Sequence, residues 1–156
     1  MSLEIGKTAP EFSLPDQAGK THTLKDLSGK TTLIYFYPKD ETPGCTQQAC
    51  ALRDNFEELQ AKGIDVIGVS KDDVKSHEKF AQNHQLPFDI LADPGTKMID
   101  AYGAWGERNM YGRKFMGTIR SAVLVGPDLT ILAVWPKIQP LKTVPAVLEF
   151  LKTQEK

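Results

Sequence analysis

The chain has 156 residues, 40% of them hydrophobic and 25% charged, a composition that suits one globular domain able to bury its own core. Nineteen Lys plus Arg stand against twenty Asp plus Glu, so the formal charge of -1 leaves no broad basic field to gather nucleic acid or acidic lipid. No apolar run approaches the ~20 residues of a membrane span, and the start of the chain lacks the apolar segment of a signal peptide. The expectation is a cytoplasmic protein, in which Cys45 and Cys50 serve redox or metal chemistry rather than a permanent structural disulfide.

In chain order, the first thirty residues read as short extended pieces. Turns fall at Pro15-Asp16-Gln17-Ala18-Gly19 and Leu27-Ser28-Gly29. Thr31 to Tyr37 is rich in β-branched and aromatic residues and predicts a strand buried on both faces. Pro38 ends it, and Thr42-Pro43-Gly44 makes a tight loop. Cys45, Ala49, Leu52, Phe56 and Leu59 then recur at helical offsets, predicting one helix closed by Gly63. Ile64 to Ser70 predicts a second buried strand. A helix follows from about Asp72 to His84, then a short strand over Pro87–Leu91 and a helix over Thr96–Tyr102. Ile119–Val125 and Ile131–Trp135 flank a turn-rich pentapeptide and predict a hairpin. Val144 to Lys152 predicts the last helix, with Pro145 in its first turn. Alternating strands and helices followed by a hairpin imply an α/β fold with a mixed sheet flanked by helices.

Cys45 stands out by position, after a buried strand and a glycine turn and at the start of a helix. The unpaired N–H groups and positive dipole end of a first helical turn favour a thiolate, which is the nucleophilic form. Position alone leaves a reactive and a structural cysteine equally open, since buried cysteines also serve as small apolar residues.

The neighbours of Cys45 narrow the choice. The pattern Pro38-x-x-x-Thr42-x-x-Cys45 resembles the active-site signature of the peroxiredoxins. The longer run Phe36–Cys50 is similar to the bacterioferritin-comigratory, or peroxiredoxin Q, branch. Ala9–Asp16 and Tyr102–Glu107 extend the resemblance over nearly the whole chain. It implies a thioredoxin-like fold, with an N-terminal extension, and a peroxidase that reduces hydrogen peroxide and organic hydroperoxides. Cys45 would attack the peroxide and become a sulfenic acid. Thr42 would hydrogen-bond the reacting groups, although a threonine at this point also suits a helix N-cap. Pro38 would shield the pocket, although a proline here also simply stops a strand. Arg120, in Gly117-Thr118-Ile119-Arg120-Ser121, would reach from the hairpin strand to stabilise the thiolate, although a strand end exposed to solvent also accommodates an arginine.

Cys50 resembles the branch's resolving cysteine, which would close a disulfide onto Cys45 for thioredoxin or a similar dithiol protein to reduce, although an incidental small residue on a helix and resolution by an external thiol also stay open. An intact helix opposes this. Five helical residues place the Cα atoms on the order of 8.5 Å apart, with side chains about 140° apart around the axis. A disulfide needs a Cα separation below about 7 Å. The first turns of the helix are therefore expected to unwind in each cycle.

The remaining expectations are negative. Zinc needs about four ligands at short spacings, and His22, His77 and His84 do not pair, so they read as solvated surface. The chemistry calls for no metal, haem or flavin. Walker, dinucleotide and Gly-x-Ser-x-Gly patterns are missing, and so is Cys-x-x-Cys. A redox sensor or a protein-disulfide oxidoreductase using the same cysteine remains as an alternative. Tyr37 and Trp105 could wall the pocket, and Tyr111, Phe115 and Met116 could border it. The partners implied are a peroxide and a thioredoxin-type reductant, with no nucleic acid or membrane, and the chain is expected to be a monomer.

Overall fold

The centre of the fold is a five-stranded mixed sheet, seen in a computed structural model that describes residues 3–154. Its strands are β3 (Thr31–Phe36), β4 (Ile64–Ser70), β5 (Asp89–Ala92), β8 (Ser121–Val125) and β9 (Ile131–Trp135), in the order β5-β4-β3-β8-β9. β3 runs parallel to β4, and β4 to β5, while β8 lies antiparallel to both β3 and β9. The parallel pairs are joined by helical crossovers. These comprise α1 (Pro43–Asp54) with α2 (Phe56–Ala61), and then α3 (Val74–His84).

β3 shows why its sequence is apolar throughout. Leu33 and Tyr35 enter a core with Cys45, Ala49 and Leu52 of α1, Phe80 of α3 and Val147 of α5 (Thr143–Gln154). Ile34 and Phe36 point the other way, towards Leu27 and towards Met98 and Ile99 of α4 (Lys97–Ala101). Both faces are covered, so alternation along the strand gives no polar residue beyond Thr31 and Thr32. The short ribbon β1 (Ser13–Pro15) and β2 (Thr21–Thr23) lies outside the sheet, in the region expected to be extended pieces.

Two elements differ from the sequence expectation. The helix expected to continue through Phe56 and Leu59 is broken at Asn55, whose φ of -110° and ψ of 9° leave the helical region. The Asn55 side-chain amide donates to the Ala51 carbonyl at 2.7 Å, competing with the backbone for the same acceptor. The stretch 105–118, expected only as a border to the site, is a hairpin of β6 (Trp105–Met110) and β7 (Arg113–Thr118). Its turn is Tyr111-Gly112, both with positive φ, which matches the twist of a two-residue hairpin connection. One face of this ribbon is open to solvent, so its strands carry charged and polar residues that hide their extended pattern.

Gly68 allows the closest approach in the sheet. A Cβ there would lie 2.9 Å from the Tyr35 ring, its hydroxyl and the Ile90 side chain. Tyr35 and Ile90 are both fully buried and cannot swing aside. Gly68→Ala is expected to lower unfolding stability by about 1–3 kcal/mol through overpacking, read as a drop in the denaturant midpoint. An unchanged midpoint would show that the Tyr35 ring has room to move.

Candidate active site

Cys45 is the third residue of α1. Thr42 stands at the N-cap position in extended backbone, and Pro43 opens the helix, where its missing N–H costs nothing. The first helical bond returns from the Thr46 N–H to the Thr42 carbonyl at 2.9 Å. The N–H groups of Gly44 and Cys45 therefore have no acceptor within the helix and form its positive end. The Cys45 side chain is only 1% exposed and packs with Tyr35, Tyr37 and Ala49.

Arg120 lies in the link between β7 and β8 rather than inside the hairpin strand. Its carbonyl accepts from Ile138 N–H at 2.9 Å, which fixes the backbone of the link. One guanidinium nitrogen, Nη2, donates towards Cys45 Sγ at 3.4 Å. The other, Nη1, donates to Gln48 Oε1 at 2.7 Å. Gln48 is fully buried and in turn donates to Thr143 Oγ1 at 2.9 Å, and Thr143 donates to the Gln139 carbonyl. Gly44 leaves the space for this, because a Cβ there would stand 3.2 Å from Arg120 Nη2. The predicted pair of Cys45 and Arg120 is thus brought together. Gln48 and Thr143 were not anticipated, although Gln48 lies one helical turn after Cys45, where i and i+3 share a face.

Thr42 stands at the N-cap position without the side-chain bond of a cap. Its hydroxyl donates to the Lys39 carbonyl at 2.8 Å. With that hydrogen committed, the oxygen faces other groups as an acceptor. Pro38 is half-buried and follows the last bond of the β3–β4 ladder, from Tyr37 N–H to the Val69 carbonyl.

The loop between β3 and α1 is pinned from below by Asp40. Its carboxylate accepts from the Tyr37 hydroxyl at 2.6 Å and from Ser76 Oγ at 2.8 Å, and pairs with His77 Nδ1 at 2.6 Å. Burial, followed by the nearby Tyr35 and Asp40, pushes the Tyr37 phenol well above its ordinary range and keeps it a donor. The Asp40 N–H donates to Asp72 Oδ2, which also accepts from Ser70 Oγ. His77 faces the Leu91 carbonyl with Nε2 at 2.9 Å, so both ring nitrogens meet acceptors. His77 is fully buried, which corrects its reading as solvated surface. The adjacent Glu41 has a left-handed φ of 62°, and its carboxylate meets Asn83 Nδ2 at 2.6 Å and His84 Nε2 at 2.7 Å.

Cys50 is half-buried on α1 and meets His84 Nδ1 of α3 at 3.9 Å. Both cysteines are free thiols, and the helix is continuous between them. Tyr37 lies in the same buried core cluster as Cys45. Trp105 does not, since it packs with the cluster on the opposite face of the sheet. Tyr111 is almost wholly exposed at the hairpin turn, and Phe115 and Met116 are exposed beyond it.

The AhpC/TSA family profile matches residues 5–134. A putative peroxiredoxin bcp of Coxiella burnetii is 44% identical over 139 residues, covering 89% of this chain and 92% of its own. Peroxiredoxin Bcp of Escherichia coli K12 is 41% identical over 150 residues, covering 96% of each. Among solved structures, the bacterioferritin comigratory protein of Xanthomonas campestris, studied for alkyl peroxide reduction, superposes with a TM-score of 0.88 at 32% identity, over 99% of this chain and 98% of that one. PrxQ of Xylella fastidiosa gives a TM-score of 0.91 at 28% identity, over 99% and 98%. The mixed sheet and its helices are those of the thioredoxin-like peroxiredoxins. With a free thiol buried under an arginine at a helix start, in a fold and sequence shared with these proteins, the chain belongs to the AhpC/TSA family, in its Bcp/PrxQ branch, and is a thiol-dependent peroxidase.

Proposed function

We propose that Cys45 is the peroxidatic nucleophile for hydrogen peroxide and organic hydroperoxides. The observation that carries this is the Arg120 guanidinium 3.4 Å from Cys45 Sγ at the positive end of α1. The thiolate attacks the nearer peroxide oxygen, the O–O bond breaks, and its electron pair leaves with the far oxygen as water or an alcohol after protonation. Cys45 is left as a sulfenic acid. Arg120 offsets the negative charge that passes from sulfur to the leaving oxygen. Thr42, an acceptor once its hydrogen is on Lys39, takes the hydrogen bond of the peroxide O–H and orients it. Pro38 keeps water from the loop above Cys45.

Cys50 then attacks the Cys45 sulfenic sulfur, forming a disulfide and releasing water. A thioredoxin-type dithiol returns both cysteines to thiols. The two residues belong to one unbroken helix, so the turn from Pro43 to about Gln47 opens for this step. That turn has no side-chain cap to hold it. The whole chain works as one thioredoxin-like unit, in a reducing, cytoplasmic compartment that keeps both thiols free between cycles.

Mass spectrometry after one equivalent of hydrogen peroxide tests the two cysteines. Wild type is expected to lose two hydrogens, and Cys50→Ser to accumulate a trappable sulfenic acid. Peroxide consumption by Cys45→Ser would overturn the assignment. Crystals of the disulfide form with α1 intact from Pro43 would overturn the opening of the helix.

The shared guanidinium gives a further expectation. Arg120→Met should slow the oxidation of Cys45 by about 10²-fold in stopped-flow measurements. Arg120→Lys should recover little of this, since an ammonium cannot span Gln48 and Cys45 as the planar fork does. Full activity in Arg120→Lys would reduce Arg120 to a bare charge.

A further inference from the structure

The resolving step has a chemical requirement that Cys45, Arg120 and Thr42 do not meet. A thiol attacks sulfur as its thiolate. Arg120 directs its bonds to Cys45 and Gln48, and the titratable group beside the half-buried Cys50 thiol is His84.

We propose that His84 is the general base for Cys50, with Glu41 as the positioning residue that orients it. Three observations meet here. Cys50 Sγ lies 3.9 Å from His84 Nδ1, a long contact of the kind that shortens when a catalytic proton moves. The opposite ring nitrogen, Nε2, lies 2.7 Å from Glu41 Oε1. A carboxylate accepts only, so Nε2 carries the hydrogen, and Nδ1 is left with a free lone pair facing the thiol. Glu41 is itself held by Asn83 Nδ2 at 2.6 Å. Partial burial pushes its carboxyl up, but the bonds from Asn83 and His84 outweigh this and hold it below the ordinary carboxylate range. It is therefore ionised wherever the enzyme is assayed.

The groups that meet His84 from the elements around it are few. Glu41 approaches from the loop and Phe80 from its own helix, with ring centroids 5.1 Å apart. From α1 come Cys50 and Arg53. Arg53 donates to the His84 carbonyl at 2.8 Å and lies one turn beyond Cys50, so it both clamps the end of α3 and sets a positive charge near the thiol. Its side chain also bonds Asp54.

The step balances. The Cys50 proton passes to His84 Nδ1. The thiolate forms an S–S bond to Cys45, and the S–O bond of the sulfenic acid breaks with its electron pair on oxygen. The hydroxide so formed takes the proton from His84 and leaves as water. Cys50 sulfur is oxidised, Cys45 sulfur is reduced, and His84 ends neutral. Glu41 belongs to the same loop that presents Cys45, so the base for the second step is oriented by the segment that carries the first.

This rests on Cys50 being the resolving thiol, and the test separates the two ideas. The full chain is mixed with one equivalent of hydrogen peroxide, quenched with an alkylating agent at intervals, and the Cys45–Cys50 disulfide is followed by mass spectrometry from about pH 6 to about pH 9, across the histidine and thiol ranges. His84→Gln keeps an amide donor for Glu41 but has no group to take a proton. It is expected to form the disulfide roughly 10²-fold more slowly near pH 7. The deficit should shrink with rising pH, as hydroxide takes over the work of the missing base. Glu41→Ala should slow the same step by about 10-fold, because it removes the acceptor that orients the ring and leaves it free to turn. The rate of Cys45 oxidation, read in the same samples, corrects for misfolded protein. A rate in His84→Gln equal to wild type at every pH, or slowed equally at every pH, would overturn the base while leaving Cys50 as resolving thiol. Wild type that forms no Cys45–Cys50 disulfide would remove both.

Discussion

One guanidinium, shared between a thiol and a buried amide, sets the requirements that the surrounding chain meets. Arg120 is half-buried, and a cation in such a place needs acceptors. Cys45 Sγ alone would be a soft and distant partner. Gln48 supplies the firm bond at 2.7 Å, so the fork is already oriented before any peroxide arrives. Gln48 can do so only because Thr143, at the start of α5, takes up its other end. The pocket thus depends on α1, the β7–β8 link and α5 meeting at one point. Gly44 is the remaining condition, since a side chain there would crowd the guanidinium.

A second arrangement divides the rigid part of the site from the part that moves. Asp40 ties the loop to Tyr37, Ser76 and His77, all within the core or at its edge. Glu41 ties it again to the end of α3. Immediately after these two anchors comes Thr42, whose side chain leaves the helix uncapped. Free energies of local opening differ widely within one domain, and uncapped first turns lie at the low end. The loop can therefore hold its place while the turn carrying Cys45 comes away. In the proposed cycle the opening would remove Cys45 from the core and from Arg120, which suits a step after oxidation, when the sulfur is no longer a thiolate in need of a cation.

The central sheet was legible because its strands are buried on both faces and read as unbroken apolar runs. Cys45 and Arg120 were legible only through the family resemblance, since their contact joins segments far apart in the chain. What could not be read depends on partners distant in sequence. His77 looks like an ordinary polar position on α3, yet it is buried, with Asp40, thirty-seven positions earlier, meeting its ring nitrogen. His84 likewise gains a role only from Glu41 and Cys50. The break at Asn55 turned on one side-chain amide outcompeting a helix that the apolar spacing favoured. The bond from Thr42 to the Lys39 carbonyl was not legible, since a hydroxyl chooses among nearby carbonyls only once the loop is closed.

In the proposed cycle the two cysteines have different tasks, and they face different environments. Cys45 must be a ready nucleophile at all times, and a fixed cation with a helix terminus favours that state without any proton acceptor beside it. Cys50 has to stay unreactive towards peroxide, or it would itself be oxidised, and then become a nucleophile for one step. A base that takes the proton only as the sulfur attacks answers that need better than a permanent cation on the thiol. The helix that separates the two sulfurs keeps these environments apart: Cys45 turned to the sheet and Arg120, Cys50 turned to α3 and His84. In that proposed cycle the continuity of α1 opposes premature disulfide formation, and the unwinding of its first turn becomes the control point.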